Sequence, residues 1–221
     1  TDYTLPTHVK KGGDKMAIVE IIPVKNKSER VDHKNFREFY NGKSLLEIKI
    51  EQLKDSQVFD KIYVSSDSPD AEALCKSYKI NFLPRDPGFC NNETPWSDVI
   101  FEVANSIPEK DGTHLAWCHT TSPMFKRFSN AIEIYLENLE NKIANGLVAV
   151  SQCKEFILDE KATPVNYNWG PWHKYSQDLK KHFFVSGAMF VTTKAEMMKN
   201  RYVISTNPHL FIASAEESVD I

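Results

Sequence analysis

The stretch EIIPVKNKSERVDHKNF, residues 20 to 36, begins as an apolar run and passes without a glycine into a loop carrying Lys25, Lys27, Arg30, His33 and Lys34. Basic side chains in such a loop can neutralise the charge that builds on phosphoryl oxygens as a leaving group departs. That chemistry calls for a divalent cation as well, and Mg²⁺ is held by one or two carboxylates together with phosphate oxygens. A charge run by itself usually faces water, so position must decide between the two readings. The eight glycines form neither GxGxxG nor GxxxxGK[ST], which leaves side-chain cations to do the work of a glycine-rich phosphate cradle. HExxH, GxSxG and the kinase signatures are absent too.

The surrounding pattern supplies the position. MAIVEIIPV, residues 16 to 24, is a near-continuous apolar run, as expected of a strand buried on both faces. A turn at Asn41-Gly42 leads into residues 44 to 57, where Leu46, Ile50 and Leu53 make one helical stripe. KIYVSSD gives a second strand at 61 to 65, and Asp67 follows it as a helix-flanking cap. Ser68 before Pro69 caps the next helix, INFL is a short strand, and Thr94-Pro95 repeats the cap-then-proline device. HLAWCH reads as strand, the segment from Phe128 to Leu139 as helix, and GLVAVSQC as strand again. This alternation specifies an α/β fold with a mainly parallel central sheet flanked by helices. Ligands of such sheets bind at the carboxyl ends of strands, where the basic loop lies.

Residues 154 to 183, including NWGPWHKY, break the alternation and read as an excursion outside the sheet whose tryptophans suit a partner contact. FFVSGAMFV and LFIAS supply late strands. With 221 residues, 41% hydrophobic and 26% charged, the chain has the composition of one globular domain over residues 16 to 221, preceded by a tail or linker at 1 to 15. A net charge of -3 gives no general attraction for nucleic acid or anionic membrane. Cys75, Cys90, Cys118 and Cys153 lack metal or redox spacing and suit reduced cysteines of a cytoplasmic protein. No apolar run is long enough to cross a bilayer.

The run IIPVKNKSERVDHKN resembles the N-terminal motif of the acylneuraminate cytidylyltransferases, the CMP-sialic acid synthetase family, written IIPARxxSKxxxxKN. NGKSLLEIKIE, FDKIYVSSD, HTTSP, FFVSGAMFV and SVDI agree with further family segments in order. The resemblance covers about residues 17 to 221. It implies a Rossmann-like, GT-A-like nucleotidyltransferase, usually a homodimer, in which a sugar hydroxyl attacks the α-phosphate of CTP and pyrophosphate leaves. Carried over position by position, Lys34 and Asn35 match the KN pair at the triphosphate, and Ser28 matches the motif serine. Lys25 replaces an arginine, which keeps the charge but not the bidentate fork. Glu29 replaces a lysine, with Arg30 beside it to compensate. Arg85, Thr94 and Ser97 fall in the stretch around base and ribose. His119 stands where the family has glutamine and, with Thr121 and Ser122, lies where acceptor and nucleotide meet.

The family ends its core with an acidic pair, IDID, that binds Mg²⁺. Here SVDI supplies Asp220, and the sequence stops at Ile221, so a truncated C-terminus is expected. Asp98 is a second candidate ligand by loose resemblance to the CMP-KDO synthetases. Lys34 and Asp220 are therefore the expected catalytic pair, with Asp220 also the metal ligand. The arginines that hold the acidic sugar are replaced by Ser176 and Phe184, leaving Lys174, Lys180, Lys181 and His182 as a cationic substitute. The expected reaction is transfer of CMP to an acidic, nonulosonate-like sugar for surface polysaccharide. Alternatives are a CMP-KDO-synthetase-like acceptor and a catalytically impaired nucleotide-binding relative. A GT-A glycosyltransferase needs a DxD motif, which does not occur.

Overall fold

The computed structural model describes residues 16–28 and 31–221, so the N-terminal tail, Glu29 and Arg30 lie outside the described residues. Strand β1 (Ile18–Pro23) is the expected buried strand, with Val19, Ile21 and Ile22 almost inaccessible. The Asn41-Gly42 turn joins the short strands β2 (Glu38–Tyr40) and β3 (Lys43–Ser44). Both turn residues are left-handed, with φ of 52° and 74°, as a two-residue hairpin requires. Helix α1 (Leu45–Ser56) starts with a capping box in which Ser44 and Glu47 satisfy each other's backbone N–H groups. It is followed by β4 (Lys61–Ser66), α2 (Pro69–Tyr78) and β5 (Asn81–Pro84). Pro69 opens α2 as expected, but the Ser68 side chain makes no capping bond.

Helix α3 (Trp96–Ser106) begins one residue later than the cap-then-proline reading of Thr94-Pro95 places it. The Thr94 hydroxyl instead donates to the Gly88 carbonyl at 2.5 Å. The Asn91 side chain accepts the Glu93 and Thr94 N–H groups, so the loop is ordered before the helix starts. Then come β6 (His114–Trp117), α4 (Phe128–Glu140), β7 (Gly146–Cys153), β8 (His182–Thr193), α5 (Lys194–Asn200) and β9 (Pro208–Ile212). Helix α5 is missing from the sequence reading because its seven residues are too short for a helical stripe.

The seven-stranded sheet has the order β5-β4-β1-β6-β8-β7-β9, and β8 runs antiparallel to both of its neighbours. The alternation of strand residues divides the core in two. Ile18, Ile22, Val64 and Ala116 pack under α1, α2 and α4, while Val19, Ile21, Leu115 and Trp117 pack under α3 and α5. Chain order therefore reverses at β1, with β4 on one side, β6 on the other, and the helices that lead into them, α1 and α3, on opposite faces. A crevice opens beyond the carboxyl end of β1 for that reason.

Candidate active site

A cavity of about 410 Å³ occupies that crevice. Its floor is the end of β1 with Pro23 and Val24, and its cationic wall is Lys25, Lys27 and Lys34 together with Ser28 and Asn35. The opposite wall is the segment after β6, with His119, Thr120 and Thr121, and Trp96 closes one side. The basic loop and HTTSP, about ninety residues apart in sequence, thus face one space.

Hydrogen bonds tie these walls together. Lys25 Nζ donates to the Asn91 carbonyl at 2.8 Å and to Asn92 Oδ1 at 2.5 Å, drawing the β5–α3 loop over the cavity. Asp67 Oδ1 accepts the Asn26 N–H at 2.8 Å and so fixes the turn after β1 from the end of β4. Arg85 is only 6% exposed, and its Nη2 donates to the Val24 carbonyl at 2.5 Å. The Thr120 hydroxyl donates to Asn35 Oδ1 at 2.7 Å and couples the two motifs directly. The Ile221 N–H donates to the Thr121 carbonyl at 3.1 Å, and Lys34 Nζ donates to the Ile221 backbone oxygen. The segment bearing Asp220 accordingly runs past the cavity, and the Asp220 charge is felt at His119.

Burial lowers the His119 pKa, Asp220 partly opposes this and Lys49 reinforces it, so the ring is neutral at pH 7. A neutral imidazole offers one donor and one acceptor. Its ring lies edge-on to Trp96 with centroids 6.3 Å apart, and Trp96 in turn packs against Trp117 at 5.8 Å. On its other side the ring depends on Gly187 of β8, where a Cβ would lie 2.7 Å from His119 Nδ1. Gly187→Ala should therefore push the imidazole toward the cavity and lower acceptor kcat/KM by about tenfold or more, because ångström displacements of positioned groups are costly. Steady-state kinetics with the acceptor varied at saturating nucleotide check this.

Not every expected residue comes to the cavity. Lys25, Ser28, Lys34, Asn35, Arg85, His119 and Thr121 line it, while Arg30 lies outside the described residues. Thr94 and Ser97 stand outside the lining, and the Ser122 hydroxyl is buried without a hydrogen-bond partner. Asp98 is engaged by Arg201 in an ion pair and does not join Asp220. Lys180 and Lys181 line a separate 250 Å³ cavity with Lys154, and Phe184 lines a third one beside β9, so the expected cationic substitute does not reach the main cavity. Residues that sequence reasoning missed are Trp96, Asn92 and Thr120, while Lys27, read there only as one cation of the basic loop, lines the cavity. For Trp96, a tryptophan in a helix's first turn after a strand's carboxyl end is a usable signal.

Among the described residues no group of three His, Cys, Asp or Glu side chains forms a closed metal cage. Asp220, the expected metal ligand, is exposed and stands outside the cavity lining, with its neighbour Ile221 bonded to Thr121 and Lys34; a single carboxylate there fits an ion that takes its remaining ligands from phosphate and water, as Mg²⁺ does.

Beneath the cavity, Glu20 of β1 is fully buried and neither carboxylate oxygen has a well-formed hydrogen bond. Burial pushes it up to about 8, against the opposing pull of the adjacent Cys118 and Lys49. A carboxyl raised in this way stabilises the folded state at pH values below its unfolded pKa, and that contribution is lost as pH rises from about 4.5 to about 8. Lys49, lowered by burial, acts with the opposite slope. Glu20→Gln removes the first effect only, so its stability relative to the parent should rise between pH 5 and pH 8 in urea titrations. A pH-independent difference would mean that Glu20 stays ionised throughout.

The fold is shared with solved structures. The structure titled CMP:2-keto-3-deoxy-manno-octonic acid synthetase complexed with CTP superposes with a TM-score of 0.60 at 12% identity, covering 89% of this chain and 90% of that one. The sheet and its crevice therefore define a nucleotidyltransferase-type α/β fold. The family model described as Cytidylyltransferase matches residues 19–206, and the chain belongs to that family. A bifunctional pseudaminic acid cytidylyltransferase and hydrolase of Helicobacter pylori is 35% identical over 93% of this chain and 40% of its own. The pseudaminic acid cytidylyltransferase of Campylobacter jejuni is 23% identical over 91% of this chain and 89% of its own. The N-acylneuraminate cytidylyltransferase of Escherichia coli O18:K1:H7 is 22% identical over 92% of this chain, and the chain spans about half that relative's length, 49%.

Proposed function

We propose that this protein transfers CMP from CTP to a hydroxyl of an acidic, nonulosonate-like sugar and releases pyrophosphate, for surface polysaccharide synthesis. The observation that carries this reading is the convergence of Lys25, Lys27 and Lys34 with His119 and Thr121 on one cavity in a cytidylyltransferase fold. The acceptor hydroxyl gives its proton to solvent and its oxygen bonds to the α-phosphorus, while the bridge to the β-phosphate breaks and pyrophosphate leaves. The three lysines neutralise the charge that accumulates on the departing pyrophosphate. Asn35, held by Thr120, orients the phosphates toward the acceptor. Neutral His119 and Thr121 hydrogen-bond the sugar. Mg²⁺, held by Asp220 and phosphate oxygens, supplies charge neutralisation when bound.

The acidic-sugar assignment draws on relatives named for sialic and pseudaminic acids. Homodimerisation is proposed from the excursion, where Trp169, Trp172 and Tyr175 are 61 to 77% exposed and form an apolar surface that a second copy could cover. A cytoplasmic setting accords with four free cysteines; among the described residues no helix is long and apolar enough to cross a membrane. The deciding experiment measures pyrophosphate release with each of the four nucleoside triphosphates and Mg²⁺ against sialic acid, pseudaminic acid and KDO. Release is expected with CTP and a nine-carbon keto-acid sugar. Release with KDO alone would move the acceptor to the eight-carbon class, and no release with any pair would overturn the enzymatic reading.

A further inference from the structure

We propose that Lys49 is a positioning residue that holds the acceptor-side loop of the cavity by its backbone. Lys49 lies on the inner face of α1 between Leu46 and Ile50, and all three are 0% exposed. An ammonium group in such a place is costly to desolvate, and leucine would pack there more cheaply. Its Nζ donates to the Ser122 carbonyl at 2.9 Å and lies 5.2 Å from the centre of the Phe128 ring. One turn further along α1, Gln52 Nε2 donates to the Pro123 carbonyl at 2.6 Å. Two consecutive carbonyls of one loop are thus gripped from a single helix.

That loop is the one that meets both substrates. It carries His119, Thr120 and Thr121 on the cavity wall, bonds Asn35 through Thr120, and receives the Asp220-bearing segment at the Thr121 carbonyl. Loop carbonyls are ordinarily free to turn to solvent. Here the buried ammonium fixes where they point, and so fixes the plane in which His119 and Thr121 are presented. Cys118 at the end of β6 and Glu20 of β1 are the ionisable groups that face Lys49 in the core.

The proposal rests on the cytidylyltransferase reading of the cavity, and its test separates the two. The variant pair Glu20→Leu with Lys49→Met replaces both buried ionisable groups by apolar ones, which spares the folded state their desolvation cost. The double variant should melt near the parent temperature, exchange the amides of residues 118–122 faster, and lose about tenfold or more in acceptor kcat/KM while the CTP KM shifts by less than about threefold. Gln52→Leu, at a half-buried site, should show the same pattern more weakly and serves if the double variant does not fold. Parent-like exchange and kinetics in the folded variants would overturn the proposal. If the parent releases no pyrophosphate with any acceptor, the catalytic reading fails, and exchange of 118–122 alone decides the role of Lys49.

Discussion

Lys34→Ala is expected to lower CTP-dependent pyrophosphate release by roughly 100- to 1,000-fold, the usual consequence of removing one preorganised cation or donor from developing phosphoryl charge. Lys34 lines the cavity and its Nζ reaches the Ile221 oxygen, so it sits between the nucleotide wall and the Asp220 segment. Its partial exposure means that stability should stay within about 0.5 kcal/mol of the parent. The expected signature is therefore a large fall in kcat at an unchanged melting temperature. Lys34→Arg retains the charge with different geometry and should recover part of the rate. Pyrophosphate release at the parent rate by the alanine variant would remove Lys34 from the mechanism.

Trp117→Ala should give the largest effect on folding, about 3–5 kcal/mol in urea unfolding. Trp117 is fully buried at the end of β6, pairs with Phe190 of β8 across the ladder, and supports Trp96 at the cavity edge. Its indole N–H is buried without a partner, so the native residue already carries a desolvation cost. Trp117→Phe removes that N–H while keeping most of the packing, and should cost far less than the alanine change. Equal losses for the two variants would show that the indole N–H finds a partner in solution. A folded Trp117→Ala protein should also bind substrate less well, since Trp96 loses the ring that props it.

Much of the site was legible in the chain because the signals are local. The apolar β-branched run before Lys25 could only be a two-faced buried strand, and its carboxyl end had to carry the basic loop. The motif order from KN to HTTSP to SVDI likewise required no geometry. Individual roles were less legible. Thr94 looks like a helix cap until the Asn91 side chain organises its loop, and Asp98 looks like a metal ligand until Arg201 is seen to occupy it. The lysines after residue 173 suit an acidic sugar by charge, yet the path of the excursion directs Lys180 and Lys181 to another cavity.

The sequence by itself determined the alternation of strands and helices, the cationic character of the first loop and the family to which the chain belongs. Tertiary structure alone decided that β8 runs against its neighbours, that Gly187 makes room for His119, and that a buried lysine holds the loop that bears it. The division has one physical cause. Periodicity and motif spacing are properties of neighbours along the chain, whereas register, close approach and burial of charge depend on which distant segments the core brings into contact.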